Sequence, residues 1–149
     1  MNTRVFMLNG PNLNMLGRRE PEIYGTTTLA SIRLQSEKLA DELGLACDFR
    51  QTNHEGVMVD WVQEAFESEA AVIVNPAGLS FHSVPLLDAL KLITRPLVEV
   101  HLSNIHARDE YHRHSMTSTV ARGVIAGCGA EGYSLALRAV AAMLKSPDQ

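Results

Sequence analysis

Short apolar strands alternate with amphipathic helices along this chain, and no other feature of the sequence constrains the fold as strongly. The predicted strands span about 4–8, 46–51, 71–74, 97–100 and 123–126. Every residue of the run Ala71-Val72-Ile73-Val74 is apolar, which is typical of a central strand that is buried on both faces. Helices are predicted at about 28–43, 57–68, 83–92 and 130–144. This order of elements predicts a parallel sheet covered by helices.

The fold class that fits this pattern is α/β, with five parallel strands between two layers of helices. Five strands favour the order 2-1-3-4-5 of a flavodoxin-like three-layer sandwich, although the sequence does not itself fix the order. The 149 residues suit a single domain that spans 1–149 and contains a substantial core.

Two helix starts and one helix face are predicted in more detail. Thr28 or Thr27 is expected to cap the first helix, and Ser83 is expected to cap the third. In the second helix, the residues expected to face the core are Met58, Val62, Ala65 and Phe66.

Composition and charge exclude several classes of function. The formal net charge of −4 argues against general nucleic-acid binding. No apolar run approaches transmembrane length, and the N-terminus lacks the apolar segment of a signal peptide. The two cysteines predict neither a metal site nor a disulfide framework, so we expect a cytoplasmic protein. Arginines are nevertheless clustered after the first strand and again near Arg108 and Arg113, which is compatible with an anionic small-molecule substrate.

An unusually long loop follows the first strand and runs to Gly25. Loops between a strand and a helix are normally short, and long ones are often lids or binding loops. This loop carries side-chain amides, the adjacent Arg18 and Arg19, and Tyr24. An arginine beside a phenol favours the ionised tyrosinate, so Tyr24 is a candidate proton-abstracting base. The alternative is an ordinary surface loop with an exposed tyrosine.

Polar residues follow three strands that are neighbours in the predicted order. Asn9 and Asn12 follow the first strand, Asn75 follows the third, and His101 begins the segment after the fourth. Ligands bind at the carboxyl ends of strands in such sheets, and asparagine supplies both donors and an acceptor. Each asparagine could instead form an Asx turn or a helix cap. The Leu102 N–H and the Ser103 hydroxyl, just after the fourth strand, could hold a carboxylate.

His101 is a candidate general acid. Glu99 lies two positions earlier, so the strand period places both side chains on one face of the sheet. A carboxylate near an imidazole fixes its tautomer, which suits an acid catalyst. A structural hydrogen bond is the alternative. The other histidines lack convincing metal-ligand spacing, so we expect no metal.

Two other protein classes with this fold do not fit the sequence. A phosphoacceptor receiver needs acidic residues after the first strand and an aspartate after the third, where this chain has Asn9 and Asn75. A flavin binder needs a phosphate-binding loop after the first strand, and residues 11–14 do not supply one. Neither a dinucleotide-binding glycine motif nor a P-loop is present.

Several segments resemble the type II dehydroquinases, which are the 3-dehydroquinate dehydratases of the shikimate route. The resemblance covers essentially the whole chain and is carried by residues 8–14, 19–21 with 24–25, 51–56, 75–76, 99–104 and 123–127 with 132–133. It implies a flavodoxin-like subunit, trimers assembled into a dodecamer, and an anti elimination of water without a cofactor. Whether the role is aromatic amino acid biosynthesis or quinate catabolism stays open.

The resemblance also implies a role for each catalytic residue. Tyr24 would remove the C2 proton of 3-dehydroquinate, and Arg19 would lower the pKa of that phenol. Asn12 would help to hold a water that stabilises the oxygen of an enolate intermediate. His101 would then protonate the leaving C1 hydroxyl.

Further residues are implied in substrate binding. Leu102 and Ser103 would hold the substrate carboxylate, and Asn75 would hydrogen-bond within the site. Asp88 matches a position that the family supplies from a neighbouring subunit.

Two positions depart from the family pattern, and both belong to the side of the site that binds the substrate hydroxyls. The family histidine aligns with Phe81, and His82 comes one position later. One residue at a helix start rotates a side chain by about 100°. His112 stands where the family has arginine, although Arg108 and Arg113 are nearby. We include His82 and His112 among the expected substrate-binding residues.

Three functions therefore remain in view. The favoured one is a 3-dehydroquinate dehydratase. The alternatives are a divergent paralogue that dehydrates a related cyclic hydroxy-keto acid, and a non-catalytic binding protein that retains the fold.

Overall fold

Five parallel strands form one sheet in the order β2-β1-β3-β4-β5. The strands are β1 (Thr3–Asn9), β2 (Leu45–Gln51), β3 (Ala71–Asn75), β4 (Leu97–His101) and β5 (Gly123–Ala126). This computed structural model describes residues 3–146, apart from the side chain of Tyr24. The predicted strands and their order are confirmed, with ends that differ by a residue at most.

Helices cover both faces of this sheet. They are α2 (Leu29–Glu42), α3 (Glu55–Glu67), α4 (Val84–Leu90) and α5 (Glu131–Lys145), whereas the single turn α1 (Pro21–Tyr24) lies in the long loop between β1 and α2. The single turn α1 was not predicted, and Pro21 supplies a pre-set φ in its first turn. The predicted caps are confirmed: the Thr28 hydroxyl accepts a hydrogen bond from the Ser31 N–H at 3.2 Å, and the Ser83 hydroxyl accepts one from the Leu86 N–H at 3.1 Å.

The core consists of two apolar clusters, one on each face of the sheet. Successive side chains of a strand point to opposite faces, so Val5 and Met7 belong to one cluster while Phe6 and Leu8 belong to the other. The buried face of α3 carries Met58, Val62 and Ala65. The prediction that Phe66 faces the core is wrong, because its side chain follows Ala65 by about 100° around the helix and is 38% exposed.

The ends of β1 and β3 approach each other through the backbone of Gly10. The Gly10 N–H donates a hydrogen bond to the Asn75 carbonyl oxygen at 2.9 Å. A Cβ atom at Gly10 would lie 2.3 Å from the carbonyl oxygen of Pro76, which is far inside van der Waals contact. A residue without a side chain is therefore required where these two strand ends meet.

Within residues 3–146, no helix combines the length and the hydropathy needed to cross a membrane. Cys47 and Cys128 are both free thiols. Burial raises the pKa of the Cys47 thiol to about 12, so this thiol is protonated at neutral pH.

Candidate active site

A pocket opens where the carboxyl ends of β1, β3 and β4 meet, and its volume is about 100 Å³. This is the edge of the sheet at which parallel α/β folds bind ligands. The strand order brings predicted site residues from distant parts of the chain into its wall. These residues are Asn12, Arg19, Asn75, His101, Leu102, Ser103 and His112.

The described lining of this pocket includes neither His82 nor Asp88. His82 lines a neighbouring groove that shares Phe81 and His112 with the pocket. Asp88 is exposed on α4, with its Oδ1 atom 3.8 Å from Lys91 Nζ. The backbone of Tyr24 ends α1, but its side chain lies outside the described part of the structure. The assignment of Tyr24 as a base therefore stays a prediction.

The imidazole of His101 forms a buried pair with the carboxylate of Glu99. The distance from His101 Nε2 to Glu99 Oε2 is 2.7 Å, and the two residues are 4% and 0% exposed. The prediction that these side chains share one face is confirmed. Because Nε2 is engaged by Glu99, Nδ1 is the ring nitrogen left to meet a ligand in the pocket.

Three hydroxyl groups complete the surroundings of Glu99. The Ser115 hydroxyl donates to Oε2 at 2.7 Å, and the hydroxyls of Thr117 and Ser118 also donate to the carboxylate. Burial by itself would raise the pKa of Glu99. The hydrogen bonds from His101, Ser118 and Thr117 outweigh burial and hold that pKa below its ordinary value. Sequence reasoning missed these hydroxyls, because nothing in a linear pattern links them to Glu99.

A buried chain of hydrogen bonds forms the floor beneath the pocket. The Tyr133 hydroxyl donates to Asn9 Oδ1 at 2.7 Å and accepts from Asn75 Nδ2 at 3.0 Å. Asn75 Oδ1 accepts from the Ala77 N–H at 3.1 Å, and Asn9 Nδ2 donates to the Arg50 carbonyl at 3.0 Å. Asn9 is 0% exposed and does not line the pocket, so its amide has the structural role rather than that of a ligand contact.

The rim of the pocket carries positive charge. Arg19 and Arg108 both line it, and Arg19 Nη2 lies 3.2 Å from Glu20 Oε2. Asn12 adopts a left-handed backbone with φ of 72°, and its N–H donates to Asn53 Oδ1 at 2.9 Å. Asparagine tolerates this conformation better than most residues. Sequence reasoning noticed the arginines near Arg108 but did not place Arg108 in the site.

Phe81 forms an aromatic wall between two imidazoles. Its ring centroid lies 6.2 Å from that of His101 and 5.7 Å from that of His112, which it meets edge-on at 74°. His112 Nδ1 is 2.8 Å from Asp109 Oδ1. The Phe81 side chain has no hydrogen-bonding group. Polar contacts to a ligand on this side of the pocket therefore depend on His112 and on the arginines that line it.

No group of three or more His, Cys, Asp or Glu side chains within residues 3–146 is placed to hold a metal ion. The pocket wall offers two imidazoles, each beside a carboxylate, together with side-chain amides, a hydroxyl and guanidinium groups. Such a set can hold an anion and move protons.

Comparison with known proteins identifies the family. The family model described as "Dehydroquinase class II" matches residues 3–141. The chain belongs to this family. The 3-dehydroquinate dehydratase of Brucella abortus (strain S19) is 54% identical over 149 residues, which is 100% of this chain and 95% of that protein.

Solved structures agree with this family and with the fold. The type II dehydroquinase of Propionibacterium acnes superposes with a TM-score of 0.92 and 44% identity, over 95% of this chain and 98% of that one. A 3-dehydroquinate dehydratase-like protein from Bifidobacterium longum gives a TM-score of 0.75 and 35% identity, over 96% and 98% of the two chains. The resemblance and the α/β fold predicted from the sequence are confirmed.

The Glu99 carboxylate predicts how this class II dehydroquinase responds to acid. The pKa of Glu99 is lower in the folded protein than in the unfolded chain, where a glutamate has a pKa of about 4.3. The ionised carboxylate therefore stabilises the folded state above about pH 4.3, and this stabilisation is lost as the pH falls through the lowered pKa. We expect the free energy of unfolding of the wild type to fall more steeply below about pH 4.3 than that of Glu99→Gln. Urea titrations at several acid pH values measure this. Equal slopes for both proteins would contradict it, and Glu42→Gln on the exposed surface is the control.

Proposed function

We propose that this chain is a 3-dehydroquinate dehydratase, a hydro-lyase that converts 3-dehydroquinate to 3-dehydroshikimate without a cofactor. The observation that carries the proposal is the buried His101–Glu99 pair, which lies 2.7 Å apart at the wall of a pocket with a cationic rim. Membership of the class II dehydroquinases and the names of the relatives support the same reaction.

The first step of the proposed mechanism is removal of a proton from C2 of the substrate. The Tyr24 phenolate takes this proton, and the positive charge of Arg19 favours the ionised phenol. The electron pair left on C2 delocalises onto the C3 ketone to give an enolate. Asn12, which lines the pocket, helps to hold a water that donates a hydrogen bond to the enolate oxygen.

The second step is the loss of water. His101 donates a proton to the C1 hydroxyl, the C1–O bond breaks, and the enolate electron pair forms the C1=C2 double bond as the ketone returns. Glu99 stabilises the imidazolium form of His101 that is needed for this donation. The proton removed and the hydroxyl lost come from opposite faces of the ring, which makes the elimination anti.

Substrate binding is proposed to use the segment that follows β4 and two further elements. The Leu102 N–H and the Ser103 hydroxyl hold the carboxylate, and Asn75 hydrogen-bonds within the site. We retain His82 and His112 as contacts on the hydroxyl side. Asp88, which is exposed on α4, is proposed to contact the site of a neighbouring subunit in a dodecamer assembled from trimers.

The test of this function is direct. We expect the protein to turn over 3-dehydroquinate, with an increase in absorbance from the conjugated enone of 3-dehydroshikimate. Saturable binding of 3-dehydroquinate without product would instead favour a non-catalytic binding protein. Neither turnover nor binding would favour a related cyclic hydroxy-keto acid as the substrate.

The aromatic wall predicts weak recognition of the substrate hydroxyls. If Phe81 and His112 reduce that recognition, the double variant Phe81→His, His112→Arg should have a higher kcat/KM for 3-dehydroquinate than the wild type. A restored hydrogen bond is worth roughly 0.5–3 kcal/mol, so the gain could reach about tenfold or more. Because both side chains line one pocket, their effects should not simply add, and the two single variants measure the coupling.

The competing view is that His82 and Arg113 already supply the missing contacts. The double variant would then show an unchanged or reduced kcat/KM. That result would mean that this chain has its own working arrangement and is an ordinary dehydroquinase.

A further inference from the structure

The hydroxyl groups around Glu99 come from one short segment of the chain. Ser115 lies just before the 3₁₀ helix Thr117–Val120, and Thr117 and Ser118 lie in its first turn. All three hydroxyls donate to the Glu99 carboxylate, whereas the Thr119 hydroxyl in the same turn donates to the Met116 carbonyl at 2.6 Å. The arrangement therefore separates three hydroxyls that touch Glu99 from one neighbour that does not.

The same segment is hydrogen-bonded to the body of the protein and is partly buried against it. The Met116 N–H donates to the Ser80 carbonyl oxygen at 2.8 Å, and Thr117 is 0% exposed. The Ser118 N–H donates to the Ser115 hydroxyl at 3.2 Å, which orients that hydroxyl. This segment therefore places three hydroxyl groups around the carboxylate.

Four donors on one buried carboxylate have a chemical consequence for His101. A buried carboxylate with few donors is poorly solvated and tends to take a proton from its neighbour. Hydroxyls that hydrogen-bond both oxygens replace the lost water and hold the carboxylate in its charged form. They also fix the direction from which Glu99 Oε2 meets His101 Nε2, and hence the orientation of the ring.

We propose that Ser115, Thr117 and Ser118 are positioning residues that keep His101 oriented for catalysis, acting through Glu99. The inference rests on the proposed function of His101 as the proton donor to the leaving hydroxyl. The three hydroxyls do not line the pocket, so they act on the reaction only through the carboxylate.

The first test compares steady-state kinetics of matched variants. Thr117→Val removes the hydroxyl at nearly constant volume, Thr117→Ser keeps it, and Thr119→Val is the control from the same turn. We expect Thr117→Val to lower kcat by roughly tenfold, which corresponds to the loss of one hydrogen bond to a charged group, with KM within about twofold of the wild type. Thr117→Ser should restore most of the rate, and Thr119→Val should leave it unchanged.

The second test asks whether the effect passes through Glu99. In a Glu99→Gln background the carboxylate is absent, so Thr117→Val should cost much less than in the wild type. If Thr117→Val fails to fold, Ser118→Ala provides a second variant, because Ser118 is less buried than Thr117. Additive effects of the Thr117 and Glu99 substitutions, or an equal loss in Thr119→Val, would overturn the proposal.

The third test does not depend on turnover. In ¹⁵N-labelled protein, the Nε2–H resonance of His101 reports its hydrogen bond to Glu99. We expect this resonance to move in Thr117→Val and Ser118→Ala and to stay in place in Thr119→Val. If the wild type fails to convert 3-dehydroquinate, the proposed function fails while this measurement still decides the positioning role. An unmoved resonance in both hydroxyl variants refutes it.

Discussion

Tyr24→Phe is expected to remove nearly all conversion of 3-dehydroquinate while leaving the fold and ligand binding largely intact. The substitution deletes only the phenolic oxygen, which is the proposed proton acceptor. An assisting acid–base group contributes about 10²–10⁴-fold to a rate, and loss of the sole base should cost more than that. Steady-state turnover, together with binding of 3-dehydroquinate measured by calorimetry, separates the lost rate from lost affinity.

A second tyrosine provides the matched control for this experiment. Tyr111 is 84% exposed and lies outside the pocket wall, so Tyr111→Phe should turn over the substrate at the wild-type rate. A near-normal rate in Tyr24→Phe would rule out the base assignment. Another group of the loop or a bound water would then have to accept the C2 proton.

The other large effect is expected in His101→Ala. As the proton donor to the leaving hydroxyl, His101 acts after the C2 proton has been removed. The variant should lose most of its elimination rate but still exchange the C2 hydrogen for deuterium at a detectable rate. Mass spectrometry of substrate incubated in D₂O measures the exchange, and enone absorbance measures elimination in the same sample.

The rates of C2 exchange and of elimination together distinguish a catalytic role of His101 from a structural one. If exchange and elimination fell in parallel, His101 would have a positional role and some other group would donate the proton. His114→Ala is a suitable control, because His114 pairs with Glu110 at 2.8 Å on the surface and does not line the pocket. This control should retain both rates.

The parts of the fold that depend on local pattern were predictable from the sequence. The apolar run of β3 and the flanking helices determine a sheet covered on both faces, and the confirmed order β2-β1-β3-β4-β5 is that of flavodoxin-like folds. Thr28 and Ser83 were predictable as caps, because their hydroxyls bond backbone N–H groups only three residues away. Glu99 and His101 were predictable as a pair because the strand period is two.

Contacts between distant parts of the chain were not predictable in the same way. The Tyr133 hydroxyl meets Asn9 across 124 positions, and Ser118 meets Glu99 across 19. No periodicity links such residues, and a serine or a tyrosine has many possible partners. This is why Asn9 was expected at the ligand and is instead part of the buried floor. The turn α1 was missed because a helix of four residues, Pro21–Tyr24, is too short for its periodicity to be distinguished from a loop.

The contact at Gly10 has a consequence for how this gene can vary. A Cβ at that position would meet a backbone carbonyl at 2.3 Å, and no rotamer change relieves a clash with backbone. In a saturation-mutagenesis library selected for growth that depends on this enzyme, we expect every residue except glycine to be depleted at position 10. The depletion should match that at His101, even though Gly10 supplies no side chain to the reaction. Gly56 in α3, around which a Cβ would meet nothing within 4 Å, should tolerate alanine in the same library.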